Sequence, residues 1–320
     1  GLHRAPTDQE MRAMFGDTIV DHETIVSNDA FNPDDFEYVC ALPSGAGFYV
    51  NRLALRADLL ISEGLIEPHF FAGFSGGRKS VLPGICSQET INENHSFKAI
   101  SSKNSTTGVL KGNPIHEDMV FAARAVNLQF ILNVIIDENK NLTHAFAGDL
   151  EEAHEAGVQA IRDMAEVDAL SADIVITGNG GYPLDQNLYQ ASKSADTAEK
   201  CAGDDGVIIL VSSCCDGMGG EYFEKLVVSG TPIEIEEKLS KIAPKETIPE
   251  QWCAQIFARI LKKHPIILVS ELADEVVEAC NMIPANDLEE ALDMAFKRKG
   301  DQASVVAIPD GIAAFAKIDK

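Results

Sequence analysis

The sequence GVIILVS at residues 206–212 is an unbroken aliphatic run bounded by a glycine and a serine. Such a short run predicts a strand that is covered on both faces, as in a parallel sheet. Runs of the same kind occur at residues 129–136, 172–177, 265–270 and 304–308. The chain therefore contains at least five candidate strands for parallel sheets.

Helical patterns lie between these runs. Apolar residues recur at helical spacing over 150–164 and 251–261, and Asn286 is expected to cap a helix to about residue 298, with Glu289 completing a capping box. Strands alternating with helices predict layered α/β architecture. A length of 320 residues suits two domains. We expect two α/β domains with mostly parallel sheets, residues 1–150 and 151–320, joined by the helix near 150–165 as a hinge.

Composition narrows the possible partners. The net charge of −24 disfavours nucleic acid and anionic membranes, and no apolar run reaches the roughly 18 residues of a membrane span. A carboxylate substrate would need local cationic groups to overcome this charge. The seven cysteines are odd in number and form no CxxC, which disfavours a disulfide framework or a zinc knuckle and predicts a cytoplasmic protein.

The segment EPHFFAGFSGGRKS at residues 67–80 carries the densest chemistry. Three glycines within five residues can expose backbone N–H groups to an anion, and two basic residues follow at once. A nucleotide-binding P-loop is disfavoured, because Arg78 stands where that motif needs its second glycine. A phosphate-bearing cofactor held by another loop geometry is favoured over a P-loop. The alternative is a tight glycine turn with solvated basic residues.

Three histidines lie in or near such segments: His69 precedes the glycines, His95 follows them and His3 is near the start. Imidazoles near glycine, lysine and arginine suit a metal site or acid–base chemistry. Taken singly, each is more often a structural or surface histidine. No HExxH motif occurs, so the usual zinc-protease arrangement is absent from the sequence.

A second cluster, GNGGYPLDQNLYQASK at residues 178–193, follows the predicted strand 172–177. Ligands of α/β sheets collect beyond the carboxyl ends of strands. On a helix, Gln190 and Lys193 would share one face, and an amide beside an ammonium can hold a carboxylate. A solvated helix face after a glycine turn is the alternative. The glycine spacing does not match a dinucleotide-binding fingerprint.

Five segments together resemble the nickel-pincer-dependent lactate racemase family of 2-hydroxyacid racemases. They are GLHRAPT at 1–7, HFFAGFSGGRKSVLPGI at 69–85, NENHS at 92–96, GNPIHEDM at 112–119 and GYPLDQNLYQASKSAD at 181–196. No single motif is decisive, but their order and spacing are specific. The resemblance extends over essentially the whole chain.

The resemblance implies a role for each candidate residue. Lys79 would hold pyridinium-3,5-bisthiocarboxylic acid mononucleotide covalently through a thioamide, and His95 would complete the coordination of its nickel. His3 and His69 would be the catalytic acid–base pair. The loop residues Gly73, Ser75, Gly76, Gly77 and Arg78 would surround the cofactor. Substrate binding would fall to Tyr189, Gln190, Lys193 and Trp252.

The implied activity is racemisation of a small 2-hydroxyacid, with lactate as the expected substrate. Removing the α-hydrogen as hydride gives a planar keto acid, and a cofactor must accept the hydride because no side chain does. Two bases are needed, since the hydroxyl proton lies on different sides in the two enantiomers. Accessory enzymes would make the cofactor. The alternatives are a racemase or epimerase of another hydroxyacid, such as a malate-like dicarboxylate, and a non-catalytic metal- or cofactor-binding homologue.

Two departures from the family pattern stand out. Leu2 occupies the position where the family has a threonine beside the first histidine, so substrate preference could differ. The family also has a segment before this histidine, with an Asp and an Arg that contribute to the site. We therefore expect the N-terminal domain to be incomplete at its start.

Overall fold

The computed structural model describes residues 1–2, 4–137 and 139–316. Its strands are β1 (Phe36–Ala41), β2 (Gly47–Asn51), β3 (Leu60–Leu65), β4 (Pro68–His69), β5 (Gly73–Phe74), β6 (Leu128–Ile136), β7 (Leu142–Gly148), β8 (Glu166–Val167), β9 (Ala172–Gly178), β10 (Ala202–Val211), β11 (Ile266–Val269), β12 (Ile283–Ala285), β13 (Val305–Ile308) and β14 (Phe315–Ala316). Its helices are α1 (Asp8–Phe15), α2 (Asp17–His22), α3 (Arg52–Leu55), α4 (Gln88–Asn94), α5 (Phe97–Ile100), α6 (Pro114–Ala125), α7 (Glu152–Ala165), α8 (Leu188–Glu199), α9 (Glu221–Val227), α10 (Pro232–Ser240), α11 (Gln251–Leu261), α12 (Asp274–Ala279) and α13 (Leu288–Lys299).

The aliphatic run quoted first lies in the middle of a five-stranded parallel sheet. Its order is β12-β11-β10-β9-β13, and every neighbouring pair is parallel. Residues 207–210 of β10 are fully buried between helices on the two faces, which is why the run needs no polar alternation. The predicted α/β class with mostly parallel sheets is confirmed.

The part of the chain before residue 151, here called the first half, contains a smaller sheet. Its order is β3-β6-β7, with β3 parallel and β7 antiparallel to β6. Helix α7 packs on one face of this sheet through Val158 and Ile161. The other face of β6 is open, with Phe130, Leu132 and Ile136 exposed. The expectation that this run is covered on both faces is therefore wrong for the described residues, because only one layer of helix lies against it.

The predicted helices form, with one correction. The predicted 251–261 is α11, and the predicted 150–164 begins and ends within two residues of α7. The cap of α13 is Asp287, not Asn286: the Asp287 carboxylate accepts from the Glu290 N–H at 2.8 Å. Glu290, not Glu289, reaches back, accepting from the backbone and side-chain N–H groups of Asn286. Asp287 has the extended backbone that a cap requires. The cap and the glutamate that reaches back therefore each lie one residue later than predicted.

The second half, from residue 151 onward, meets the first half through helices α8 and α11. Asp196 is almost fully buried; its carboxylate accepts from Lys200 at 2.9 Å and from Arg259 at 2.5 Å. It also accepts from the Thr107 hydroxyl of the first half at 3.4 Å. The amide of Gln255 adds a second link, donating to the Phe97 carbonyl of α5 and to the Ser101 hydroxyl just after that helix. The domain boundary at residues 150/151 stays a prediction.

Among the described residues, no helix has both the length and the apolar character that a membrane crossing requires.

We expect Asp196→Ala to lower the free energy of unfolding by about 3 kcal/mol, because it removes a buried carboxylate that pairs with both Lys200 and Arg259. Chemical denaturation of the purified protein measures this. The exposed Asp293 on α13 provides the matched control, for which Asp293→Ala should change stability by less than about 0.5 kcal/mol. Equal effects of the two substitutions would contradict a structural role for the Asp196 cluster.

Candidate active site

One cavity of about 570 Å³ lies where the two halves meet. Eight of the residues singled out in the sequence line it: His69, Ser75, Lys79, His95, Tyr189, Gln190, Lys193 and Trp252. The first four come from the first half and the last four from the second. A separate cavity of about 450 Å³, lined in part by Asp196 and Arg259, contains none of them.

The remaining predicted residues lie elsewhere. His3 is outside the residues that the structure describes. Gly73, Gly76, Gly77 and Arg78 form the loop behind Ser75 and Lys79 and do not line the cavity. Gly73 and Gly76 have φ angles of 78° and 83°, and a side chain on Gly73 would meet the Val109 carbonyl oxygen at 2.4 Å. These glycines therefore shape the turn that brings Lys79 to the cavity.

Arg78 points into the protein, away from the cavity, and is only 1% exposed. Its Nε–H donates to Nδ1 of His116 at 3.1 Å, and Nη1 lies 2.9 Å from Nε2 of His154. The same guanidinium donates to four backbone carbonyls of its own loop, those of Ala72, Phe74, Ser75 and Gly76. The Arg78 side chain thus fixes the path of the loop. The sequence alone predicted that this side chain would either be solvated or face an anion.

The two histidines beside Arg78 are held neutral. Burial is the main cause, and the positive charge of Arg78 adds to it; together they lower the pKa of His116 and of His154 to about 3. A neutral imidazole can accept a hydrogen bond from a guanidinium, whereas an imidazolium cannot. His116 is such an acceptor, whereas Nε2 of His154 also lies 2.9 Å from the Ser75 carbonyl oxygen, to which a neutral ring can donate.

His69 presents one defined nitrogen to the cavity. Its Nδ1 accepts from the backbone N–H of Ala72 at 3.2 Å and faces that of Phe71 at 3.5 Å. The neutral ring therefore carries its proton on Nε2. Burial lowers the pKa of His69 well below its usual value, and the charges of Lys79 and Lys193 lower it further.

His95 is 3% exposed and follows directly after α4. Its Nδ1 is buried without a hydrogen-bond partner among the described residues. Burial is the main cause that lowers the pKa of His95 to about 3, while the nearby backbone carbonyl of Ile91 favours a proton on the ring. A proton on Nδ1 beside that carbonyl leaves the Nε2 lone pair free to bind a metal ion.

The cavity also holds two amines within an acidic protein. Burial lowers the pKa of Lys79 well below its usual value, and Lys193 and Arg78 lower it further. Burial likewise lowers the pKa of Lys193. Gln190 lies one helical turn before Lys193 on α8, and its Oε1 is buried without a partner among the described residues. The arrangement can bind an anion and offers Lys79 as a nucleophilic neutral amine.

Phe71 and Glu250 are among the cavity residues that sequence reasoning did not single out. Phe71 packs edge-on against His69 and His95, with ring centroids 4.5 Å and 5.0 Å away. Glu250 precedes α11 in a left-handed conformation with φ of 66°, and its carboxylate accepts from the Phe223 N–H. Phe71 stood beside His69 in the glycine-rich segment, which was a usable signal. No sequence pattern marked Glu250.

Comparison with known proteins gives consistent matches. A family model described as the lactate racemase N-terminal domain matches residues 1–108, and one described as the lactate racemase C-terminal domain matches residues 167–316. The lactate racemases of Thermoanaerobacterium thermosaccharolyticum and Lactiplantibacillus plantarum are 47% and 46% identical over 319 residues. Each alignment covers 99% of this chain and 75% of the relative.

Two solved structures are similar to this chain. The lactate racemase apoprotein from T. thermosaccharolyticum superposes with a TM-score of 0.97 at 46% identity, over 99% of this chain and 77% of the other. A Thermotoga maritima protein gives a TM-score of 0.72 at 18% identity, over 98% of this chain and 83% of the other. At that identity the second match is a likeness of fold alone.

We expect the His116–Arg78–His154 cluster to make the protein acid-sensitive. Both folded-state pKa values, about 3, lie below the usual 6.5, so the unfolded chain binds more protons between these limits. Stability should therefore fall as the pH drops from about 6.5 toward 3, by up to ~1.4 kcal/mol per pH unit for each histidine.

The double variant His116→Asn, His154→Gln keeps acceptors near the same positions but cannot titrate. Its free energy of unfolding, measured by denaturant titration at several pH values, should show a shallower acid slope than that of the wild type. The exposed His22 gives the control His22→Asn. A double variant with the wild-type slope would show that these histidines do not set the acid limit.

Proposed function

Because the chain belongs to the lactate racemase family and is therefore an isomerase, we propose that it interconverts the enantiomers of a small 2-hydroxyacid, with lactate as substrate. One observation carries the proposal. Lys79, His69 and His95 of the first half face Gln190 and Lys193 of the second half across a single cavity. This juxtaposition combines a nucleophilic amine, two imidazoles and an anion-binding pair.

The second half supplies the groups that would bind the substrate. The Lys193 ammonium is the natural partner of a carboxylate in a chain of net charge −24. Gln190 can donate to the same carboxylate through its side-chain amide. Apolar Leu2, Phe71 and Ile91 also line the cavity. These side chains suit the methyl group of lactate.

The residues present fit a covalently held, nickel-containing cofactor. The lowered pKa of Lys79 favours the neutral amine, which is the form that can make a thioamide. The buried Nδ1 of His95 leaves Nε2 as the ligand for nickel. When bound, pyridinium-3,5-bisthiocarboxylic acid mononucleotide with its nickel supplies the hydride acceptor that removal of the α-hydrogen requires. Accessory enzymes that make this cofactor are the implied partners.

His69 would move the hydroxyl proton. The Ala72 N–H occupies Nδ1, so Nε2 is the nitrogen that can exchange a proton with the substrate oxygen. The keto acid is planar. The hydroxyl oxygen of one enantiomer lies on one side of the site, and that of the other enantiomer lies on the opposite side. A second acid–base group is therefore needed. We assign this role to His3.

We expect Lys79 to carry a covalent adduct in active enzyme. Protein produced together with the accessory enzymes should show a mass increase on the proteolytic peptide that contains Lys79. The same chain from a host without those enzymes should have the unmodified mass and no activity. Lys98→Arg on α5 serves as a control lysine variant that should retain the adduct, whereas Lys79→Arg should not. An unmodified Lys79 peptide in fully active enzyme would contradict the cofactor assignment.

We expect different defects from the histidine variants. His69→Ala should lower kcat by about 10²–10⁴-fold from either enantiomer, because it removes a proton-exchanging group, while nickel content stays unchanged. His3→Ala should behave in the same way. His95→Ala should lose nickel and activity together. Rates from each enantiomer, nickel content and thermal midpoints measured on one set of preparations distinguish these effects. A His69→Ala enzyme that racemises at the wild-type rate would rule out the two-base scheme.

A further inference from the structure

Aromatic rings form a continuous row across the boundary between the halves. The His69 ring contacts Phe71 at 4.5 Å, and Phe71 contacts His95 edge-on at 5.0 Å with an interplanar angle of 80°. The next ring is Trp252 of the second half, whose centroid lies 4.9 Å from that of His95 at 63°. His95 is therefore bracketed between one aromatic residue from each half.

The only polar atom of the Trp252 side chain is already engaged. Its Nε1–H donates to the hydroxyl oxygen of Tyr189 at 2.9 Å. Indole has a single donor and no acceptor, so this bond leaves Trp252 nothing polar to offer a substrate. Tyr189 is itself held by Phe223, edge-on at 5.6 Å. The pair thus forms a rigid wall on the His95 side of the cavity.

Within the described part of the chain, no hydrogen bond of acceptable geometry holds the His95 ring. Nδ1 is buried without a partner, although the Ile91 carbonyl is close enough to influence its protonation. The orientation of the imidazole is then set by packing against Phe71 and Trp252. Edge-to-face contacts of this kind favour one ring orientation over its rotated alternatives.

We infer that Trp252 and Tyr189 are positioning residues for His95, and that they do not bind the substrate. Trp252 presses on the imidazole, and Tyr189 fixes Trp252 through the hydroxyl–indole hydrogen bond. This inference replaces the substrate-binding roles expected from the sequence. Its implication that both residues affect nickel binding rests on the proposed function. Because the two residues come from the second half, correct orientation of the metal ligand requires that the halves be docked.

The packing of His95 between Phe71 and Trp252 can first be tested in protein without cofactor. In cofactor-free protein with labelled histidine, the ring protons of His95 should be shifted by the neighbouring aromatic rings. Trp252→Ala should move this resonance strongly, and Tyr189→Phe should move it in the same direction by less. The resonance of the exposed His22 is the internal reference, and loss of a peak in His95→Gln gives the assignment. A His95 resonance that neither variant moves would overturn the bracket.

The second test uses the loaded enzyme. Removal of groups that orient a metal ligand typically weakens metal binding by about 10-fold or more. Trp252→Ala should release nickel to a chelator about 10-fold faster than the wild type. Tyr189→Phe should release it at an intermediate rate. Trp252→Phe retains a ring, so its rate should be closer to that of the wild type. The KM for lactate should be unchanged in all three. Lys193→Ala is the matched control with the opposite pattern: a raised KM and wild-type nickel release.

The outcomes distinguish the aromatic packing around His95 from the role of His95 as a nickel ligand. A raised KM in Tyr189→Phe or Trp252→Phe, with wild-type nickel release, would return these residues to substrate binding and overturn the inference. If His95→Ala keeps nickel as tightly as the wild type, His95 is not the nickel ligand. The expected effect of Trp252 and Tyr189 on nickel release is then wrong as well. The histidine resonances then still decide whether the bracket exists. Tyr189→Phe removes one oxygen atom only, so the test does not depend on the folding of Trp252→Ala.

Discussion

The buried guanidinium of Arg78 is the interaction on which the site depends. A cation that is 1% exposed is stable in a protein interior only when its donors are matched by acceptors, and here these are four carbonyls of one loop and the imidazole of His116. Because the carbonyls belong to residues 72–76, the charge holds the glycine turn in a single conformation. Lys79, next in the chain, is thereby directed into the cavity.

The same constraint explains the electrostatics of the cavity. The chain as a whole carries a charge of −24, yet its cavity gathers Lys79 and Lys193 close to Arg78. Burial lowers the pKa values of both amines, and the charges of Lys193 and Arg78 lower that of Lys79 further. The charges of Lys79 and Lys193 also lower the pKa of His69. The site is thus prepared to receive an anion and to keep its amines and imidazoles reactive. An isolated lysine on the acidic surface would have neither property.

The cavity exists only because the halves are docked. Helices α8 and α11 carry Lys193 and Trp252 on turns that line the cavity. One turn later, Asp196 and Gln255 contact the first half. The contacts that join the halves are therefore one helical turn from the contacts that form the site. Any shift between the halves would displace the anion-binding pair relative to Lys79, and Trp252 relative to His95.

Local sequence patterns were enough to predict the α/β class, the positions of the main strands, the helix at 251–261 and the segments that hold the site. These features depend on local periodicity and on residues close together in the chain. Those patterns did not determine that Arg78 faces inward, that Phe71 and Trp252 bracket His95, or that one face of β6 is open. Each of these depends on partners distant in sequence: His154 is 76 residues from Arg78, and Trp252 is 157 residues from His95. Only the tertiary structure decides such contacts, because the direction of a side chain and the state of its polar atoms depend on which other elements pack against it.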